Sequence, residues 1–432
     1  MRVLFVNHTG AASGAEYALV GLARGVQRRH RVAVACPSRG PLAKLLDEAA
    51  VQRTSVPAFE ASLRLDPVQT PVNLLRLAAG GVALWGAARR LRADLVHANT
   101  PRAGLMGSIA RLLGGPPLVV RAHEALPPSP LGHQVRRVLG HSASAVLTVS
   151  KEVARSFNQG LDRPPATHVY NGVDLHRFDP ARVPAAGARR ELGIPAGAAL
   201  LGQVAQITPW KGQDTSIRAL AQLRQEGIDA HLLLVGEVAF SGRGVRYDNE
   251  GFLRDLHALV ARHELTDRVH FLGQRDDVPG LLKEMDLALL PSWDEPFANV
   301  MLESMAMRTP LLVSDVGGGP ELVEDGVSGR LLAPKRPDVW AGAIRELLGN
   351  RPSLELMGER AREVTGEFSA EAHLRAMLRA YEIVLQQGEQ DPARVAEALQ
   401  KRPAGAANVR RFVRGAHAAP SSAEAPVRPP PP

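Results

Sequence analysis

Short apolar runs of strand length alternate along the chain with longer segments of helical spacing. Residues 2–6, 31–35, 94–97, 117–121, 145–149 and 167–170 read as strands. Helical spacing occupies 14–29, 41–50, 70–92, 102–113, 130–140 and 151–158 between them. Alternation of this kind predicts a parallel sheet covered by helices on both faces, with ligands at the carboxyl ends of the strands. Tyr170-Asn-Gly-Val-Asp174 carries a strong turn dipeptide and closes the series. Residues 178–195, with Pro180, Pro184 and Pro195, read as a linker. A second series follows, with strands near 199–205, 231–235, 268–271, 286–290, 310–313 and 330–332, helices between them, and further helices at 338–348 and 370–387. The Ala/Pro/Arg-rich end, 415–432 above all, is too poor in apolar residues to fold and is expected to be disordered.

The most informative stretch lies just after 286–290. There Glu295 and Glu303 stand eight residues apart. Pro296 keeps Glu295 out of a helix interior and so places it on a loop. Good helix formers then predict a helix starting near Ala298–Asn299. Strand, tight loop and helix N-terminus together offer free N–H groups and a positive dipole end to an anion. Glu303, about a turn inside, would face the same ligand. Two carboxylates beside an anion cradle suit a ligand with phosphate at one end and hydroxyls at the other, which describes a sugar nucleotide.

Earlier in the chain, Asn7 to Glu16 forms a small-residue loop after the first strand and runs into a helix at Gly14. It lacks the G-x-G-x-x-G pattern and an acid placed for a ribose, which excludes a dehydrogenase. His97 and His123 both end strands on one sheet edge, and Ser150 reads as an N-cap.

The chain of 432 residues is long enough for two domains, and its 45% hydrophobic and 22% charged residues are ordinary for a globular protein. Its single cysteine, Cys36, can form no internal disulfide, and neither a signal peptide nor a spanning segment is visible, so a cytoplasmic location is expected. The net charge of +8 would suit nucleic acid, an anionic membrane or a phosphorylated ligand. Only 4% of residues are aromatic and no recognition motif is present, which argues against nucleic acid.

Taken with the other marks, Glu295-Pro-Phe297 and Glu303 make the chain resemble the family 4 glycosyltransferases. These are retaining enzymes built as two facing Rossmann-like domains, the GT-B fold. The marks are Gly14-Ala-Glu16, Asp94-Leu-Val-His97, His123-Glu124, Val149-Ser150, Asn171-Gly-Val-Asp174, Lys211-Gly-Gln-Asp214, Leu234-Val-Gly-Glu237 and Gly317-Gly-Gly-Pro-Glu321 with Asp325-Gly-Val-Ser-Gly329. The resemblance implies an N-terminal acceptor-side domain over 1–180 and a nucleotide-sugar domain over 181–368. A crossing helix over 369–388 and a largely disordered tail over 389–432 complete the division. It implies that Lys211 holds the donor diphosphate, Glu295 the sugar hydroxyls and Glu303 the ribose. N–H groups around Phe297, Ala298, Asn299 and Val300 would cradle the phosphate, His123 would reach the sugar, and the Gly14 loop would close over the diphosphate. Catalytic roles thus fall to Glu295, His123 and Lys211.

Three positions depart from the family pattern. Gln206 stands where an arginine is usual and still belongs to the donor site, Ala298 replaces a glycine, and Asn99 replaces the second histidine of a His-x-His pair. No Asp-x-Asp pair or ligand cluster is visible, so neither a metal nor a cofactor is expected. The expected substrates are a UDP- or GDP-sugar and a glycan or lipid-linked acceptor, with peripheral contact to an anionic membrane through the basic N-terminal half. A catalytically silent partner subunit and a sugar-nucleotide epimerase are the alternatives.

Overall fold

In a computed structural model of the chain, residues 1–59, 69–161, 166–239 and 247–386 are described, with single positions 395, 397 and 399. The first series forms β1 Arg2–Val6, β2 Arg31–Cys36, β3 Arg53–Ser55, β4 Leu95–Ala98, β5 Leu118–Ala122, β6 Ala145–Thr148 and β7 Ala166–His168. They make one seven-stranded sheet in the order β3-β2-β1-β4-β5-β6-β7, parallel throughout. The second series forms β8 Ala199–Val204, β9 Ala230–Val235, β10 Val269–Gly273, β11 Leu287–Leu290, β12 Leu311–Ser314 and β13 Arg330–Leu332. These make a six-stranded parallel sheet in the order β10-β9-β8-β11-β12-β13.

Central strands such as β1 and β11 are apolar on successive residues because helices cover both faces of each sheet. The sequence pattern misses β3, whose Arg-Thr-Ser lies on the sheet edge, where polar residues are tolerated and the alternation signal vanishes. Helix starts follow local chemistry. Ser13 donates its N–H and hydroxyl to Glu16 of the Gly14–Gln27 helix, at 2.9 and 2.6 Å. Ser150 accepts from the Val153 N–H at 3.3 Å and caps Lys151–Asn158 as expected.

Helix Ala370–Gln386 returns to the first sheet. Met377, Ala380, Tyr381 and Val384 are buried in the cluster that holds Phe5, Leu19 and Val34. Of the predicted tail only 395, 397 and 399 are described, with Val395 buried in the same cluster, and the rest of it and the stretch 60–68 lie outside the described residues.

The stretch 178–195 differs from the linker expected there. Phe178 is buried, and the Ala186 N–H donates to the Gly280 carbonyl at 3.3 Å. Lys283 Nζ donates to the carbonyls of Pro180 and Val183 at 2.8 and 2.7 Å, while the Gly187 N–H is bound by Glu284. The prolines shape a segment packed on helix Val278–Glu284, and it belongs to the second body.

The two sheets face each other across a cleft lined by strand carboxyl ends. Asn299, after β11, reaches Gly14, after β1, and Asn171, after β7, at 3.2 and 2.8 Å. Gln274, after β10, meets Tyr17 at 3.2 Å. Glu321, after β12, takes the N–H groups of Lys151 and Glu152, both at 2.8 Å. No helix among the described residues is long and apolar enough to span a bilayer.

Candidate functional site

The loop after β11 runs from Pro291 to Ala298, and the next helix is Asn299–Ala306. Pro296 stands before that helix, so Glu295 sits on the loop as predicted. Ala298 occupies the N-cap with φ −77° and ψ 126°, a backbone that needs no glycine. It offers no side-chain cap. The N–H groups of Phe297, Ala298, Asn299 and Val300 join none of the hydrogen bonds among the described residues. Four adjacent free donors at a helix start form an anion cradle. The Phe297 side chain itself is buried, its ring 5.6 Å from that of Tyr170, so its contribution to the cradle is backbone.

A second loop braces this one. Gly317 has φ +55°, and a Cβ there would lie 2.0 Å from the Glu295 carbonyl oxygen. The Gly318 N–H donates to that same oxygen at 2.9 Å. The glycine run therefore lets β12's loop press against the backbone that carries Glu295.

Lys211 ends a 3-10 turn, Pro209–Lys211, and Gly212 follows at φ +71°, with its Cα so close to Pro291 that a Cβ would be 2.2 Å from the proline carbonyl. This contact brings Lys211 against the Glu295 loop. Lys211 Nζ lies 2.5 Å from Glu295 Oε2 and 4.0 Å from the centre of the Trp210 ring. Ser292 Oγ donates to the same Oε2 at 2.9 Å. The pair is deeply placed, with side chains 12% and 3% exposed. Sequence reasoning gave Lys211 and Glu295 separate tasks; the structure joins them, because a buried carboxylate is tolerable only with a partner. Buried Gln203 donates to the Lys211 carbonyl at 2.7 Å and accepts from Ser216 Oγ at 2.7 Å, fixing the turn. Gln206 is half-buried, and its carbonyl accepts from Gln213 at 2.9 Å.

Glu303 is half-buried on the same helix, and no described residue hydrogen-bonds its carboxylate. Burial pushes its carboxyl up to about 7, against a small opposing pull from Arg177. It is thus poised to exchange its proton near neutrality.

Across the cleft, buried amides and a carboxylate carry a chain of hydrogen bonds to His123. Asn7 Nδ2 donates to Glu16 Oε1 at 3.2 Å, and Asn99 Nδ2 donates to Asn7 Oδ1 at 3.1 Å. His123 Nε2 then lies 3.3 Å from Asn99 Oδ1, so it carries the proton in this network and leaves Nδ1 as an acceptor. Burial first, and Arg121, His97 and His373 after it, hold His123 well below its ordinary pKa. It is a neutral hydrogen-bonding group. Asn99, at the position of the second histidine, is what orients it. His97, the other strand-end histidine, is buried against Tyr381, its Nδ1 2.8 Å from the phenol oxygen, and serves the crossing helix rather than the cleft.

The structure therefore gathers Lys211, Glu295 and the cradle into one wall, with Asn299 touching Gly14 opposite. Sequence reasoning missed Trp210 and Ser292, which flank Lys211 and Glu295 in the chain, and Asn171, whose motif was noted but not its side chain.

Residues 12–177 match the family described as Glycosyltransferase Family 4, and residues 186–364 match Glycosyl transferases group 1. A D-inositol 3-phosphate glycosyltransferase of Nocardia farcinica is 31% identical over 310 residues, 68% of this chain and 67% of that one. Another, of Actinosynnema mirum, is 30% identical over 363 residues, 78% of this chain and 84% of that one. Among solved structures, Anabaena HepE in complex with UDP-glucose superposes with a TM-score of 0.76 at 27% identity, covering 89% of this chain and all of that one.

Proposed function

The chain belongs to the family 4 glycosyltransferases of the GT-B fold, and on that footing we propose that it transfers a sugar, with retention, from a UDP-sugar to a glycan or lipid-linked acceptor. The observation that carries this reading is the row of free N–H groups at Phe297–Val300 beside the buried Lys211–Glu295 pair. A diphosphate fits the row, because charge developing on the leaving oxygens would meet donors already in place. Lys211 would keep its ammonium on the diphosphate while Glu295 turns its carboxylate to the sugar hydroxyls, so the pair that stabilises the free site is divided between two parts of one substrate. Glu303, without a hydrogen-bond partner among the described residues, would take the ribose hydroxyls, and neutral His123 a sugar hydroxyl. The preference for uridine rests on the HepE complex.

In the step itself the anomeric C–O bond to the diphosphate breaks and the acceptor oxygen bonds to the anomeric carbon on the same face. The acceptor's proton passes to the departing phosphate oxygen, which balances the reaction without an enzymic nucleophile. The two relatives are named for an inositol phosphate acceptor. For this chain a lipid-linked acceptor is favoured by helix Gln69–Arg90, which exposes Val72, Leu74 and Leu75 near Arg76 on the acceptor-side body.

The test is release of free nucleotide from UDP- and GDP-sugars, with and without acceptor and with excess chelator. Acceptor-dependent release of UDP that survives chelation is expected. Release abolished by EDTA and restored by magnesium would refute the metal-independent form of the mechanism, and release without any acceptor would favour an epimerase or hydrolase.

A further inference from the structure

Arg121 lies on β5 with only 2% of its surface exposed. Its guanidinium donates from Nη1 to the Thr148 carbonyl at 3.1 Å and from Nη2 to Asn171 Oδ1 at 2.8 Å. No carboxylate among the described residues pairs with it. Burial lowers its pKa to about 9, so it remains a cation at neutral pH. The histidines around it, His97, His123 and His373, are all pushed down by burial first and by Arg121 second, and are neutral. A lone buried cation is costly to keep, and an apolar side chain of similar volume would ordinarily be no less stable.

A guanidinium can only donate, so Asn171 Oδ1 must accept and Asn171 Nδ2 is left to donate. It does so across the cleft, to Asn299 Oδ1 at 2.8 Å. That in turn assigns Asn299 Nδ2 as the donor that meets the Gly14 carbonyl at 3.2 Å. Three links thus run in one sense, from the floor of the first sheet, through the first residue of the Asn299 helix, to the Gly14 loop.

We infer that Arg121 is a positioning residue for the transfer: by fixing the sense of the Asn171 and Asn299 amides it holds the start of the Asn299 helix and the Gly14 loop at the spacing a donor diphosphate bridges. This rests on the reading of that helix start as the diphosphate site. The clasp sets the gap before the donor arrives, so less ordering is left to binding. Retention of an unpaired buried cation is then explained by its direction-setting role.

The full-length protein, its Arg121→Met, Asn171→Ala and double variants, and Asn171→Asp test this by calorimetric titration with UDP alongside melting temperature. Each single variant should bind UDP about tenfold more weakly, the scale of one hydrogen bond to a charged group. The double variant should lose no more than either single one, because both break the same chain. Arg121→Met should melt no lower than the wild type. Asn171→Asp gives the guanidinium a carboxylate but leaves no N–H for Asn299, so it should melt higher and yet bind UDP more weakly; it also carries the test should Arg121→Met fail to fold. Losses that multiply in the double variant, or wild-type UDP affinity in Asn171→Asp, would overturn the inference while the site reading stands. A wild-type protein that binds neither UDP nor GDP would overturn the site reading, and this inference with it.

Discussion

At the scale of single residues the deciding feature is that Lys211 and Glu295 share one buried bridge. Removing the lysine leaves a carboxylate that is 3% exposed with Ser292 as its only hydrogen-bond donor among the described residues. Lys211→Ala should therefore lower stability by about 3 kcal/mol as well as abolishing turnover. Gln206→Ala removes no charge and should cost far less in both, so equal losses in kcat for the two variants would show that the amide matters as much as the ammonium. Glu303 gives a pH signature. Its carboxyl sits at about 7 in the fold against an ordinary 4.5. The unfolded chain thus gives up this proton first, and the native state loses stability as pH rises from about 4.5 to about 7, then levels off. That loss is at most about 3.5 kcal/mol, from the rise from 4.5 to about 7 at about 1.4 kcal/mol per unit. Ribose hydroxyls donate better to a carboxylate than to an acid, so nucleotide affinity should rise over the same interval. Chemical denaturation and UDP titration between pH 5 and 8 would check this, and identical slopes for wild type and Glu303→Gln would refute it.

At the scale of elements the site is a junction of three strand-end loops, and glycines set how closely they approach. Gly317 brings β12's loop against the Glu295 backbone, where a Cβ would sit 2.0 Å from a carbonyl oxygen at φ +55°. Gly317→Ala should cost more than about 2 kcal/mol and displace the Glu295 loop, weakening UDP binding even though no ligand group is removed. A variant with wild-type melting and wild-type affinity would contradict the bracing role. The Asn299 helix was legible from sequence because Pro296 and the helix formers after it act locally. The Arg53–Ser55 strand was not, since an edge strand is held by one neighbour and needs no apolar alternation. Residues 178–195 misled for a related reason: three prolines suit a linker and a packed extended segment equally, and only Lys283, Glu284 and Gly280 of a distant helix distinguish them.

At the scale of the whole molecule the two bodies are joined by a helix cap that crosses between them. Glu321 of the second body accepts the first N–H groups of helix Lys151–Asn158 and the Tyr170 hydroxyl, at 2.8, 2.8 and 2.9 Å. A carboxylate at a helix start is worth about 1 kcal/mol, and here that sum favours the closed arrangement. Glu321→Ala should leave each body folded but let the cleft open. The expected results are an increased radius of gyration in solution scattering and a raised KM for the donor, with kcat little changed. An unchanged radius and KM would show that the other cleft contacts suffice.

The sequence by itself determined most of the segments that become strands and helices, that two parallel sheets follow one another, and that a loop with Glu295 leads into an N–H-bearing helix start. Those features follow from periodicity, proline geometry and capping, which act over a few residues. Tertiary structure decided what pairs with what. Lys211 meets Glu295 across 84 positions, and Asn171 meets Asn299 across 128. Arg121 reads in the sequence like any strand arginine; only its burial, set by elements far along the chain, reveals a cation with no carboxylate beside it. Long-range partners of this kind are chosen by packing, and packing leaves no trace in local spacing.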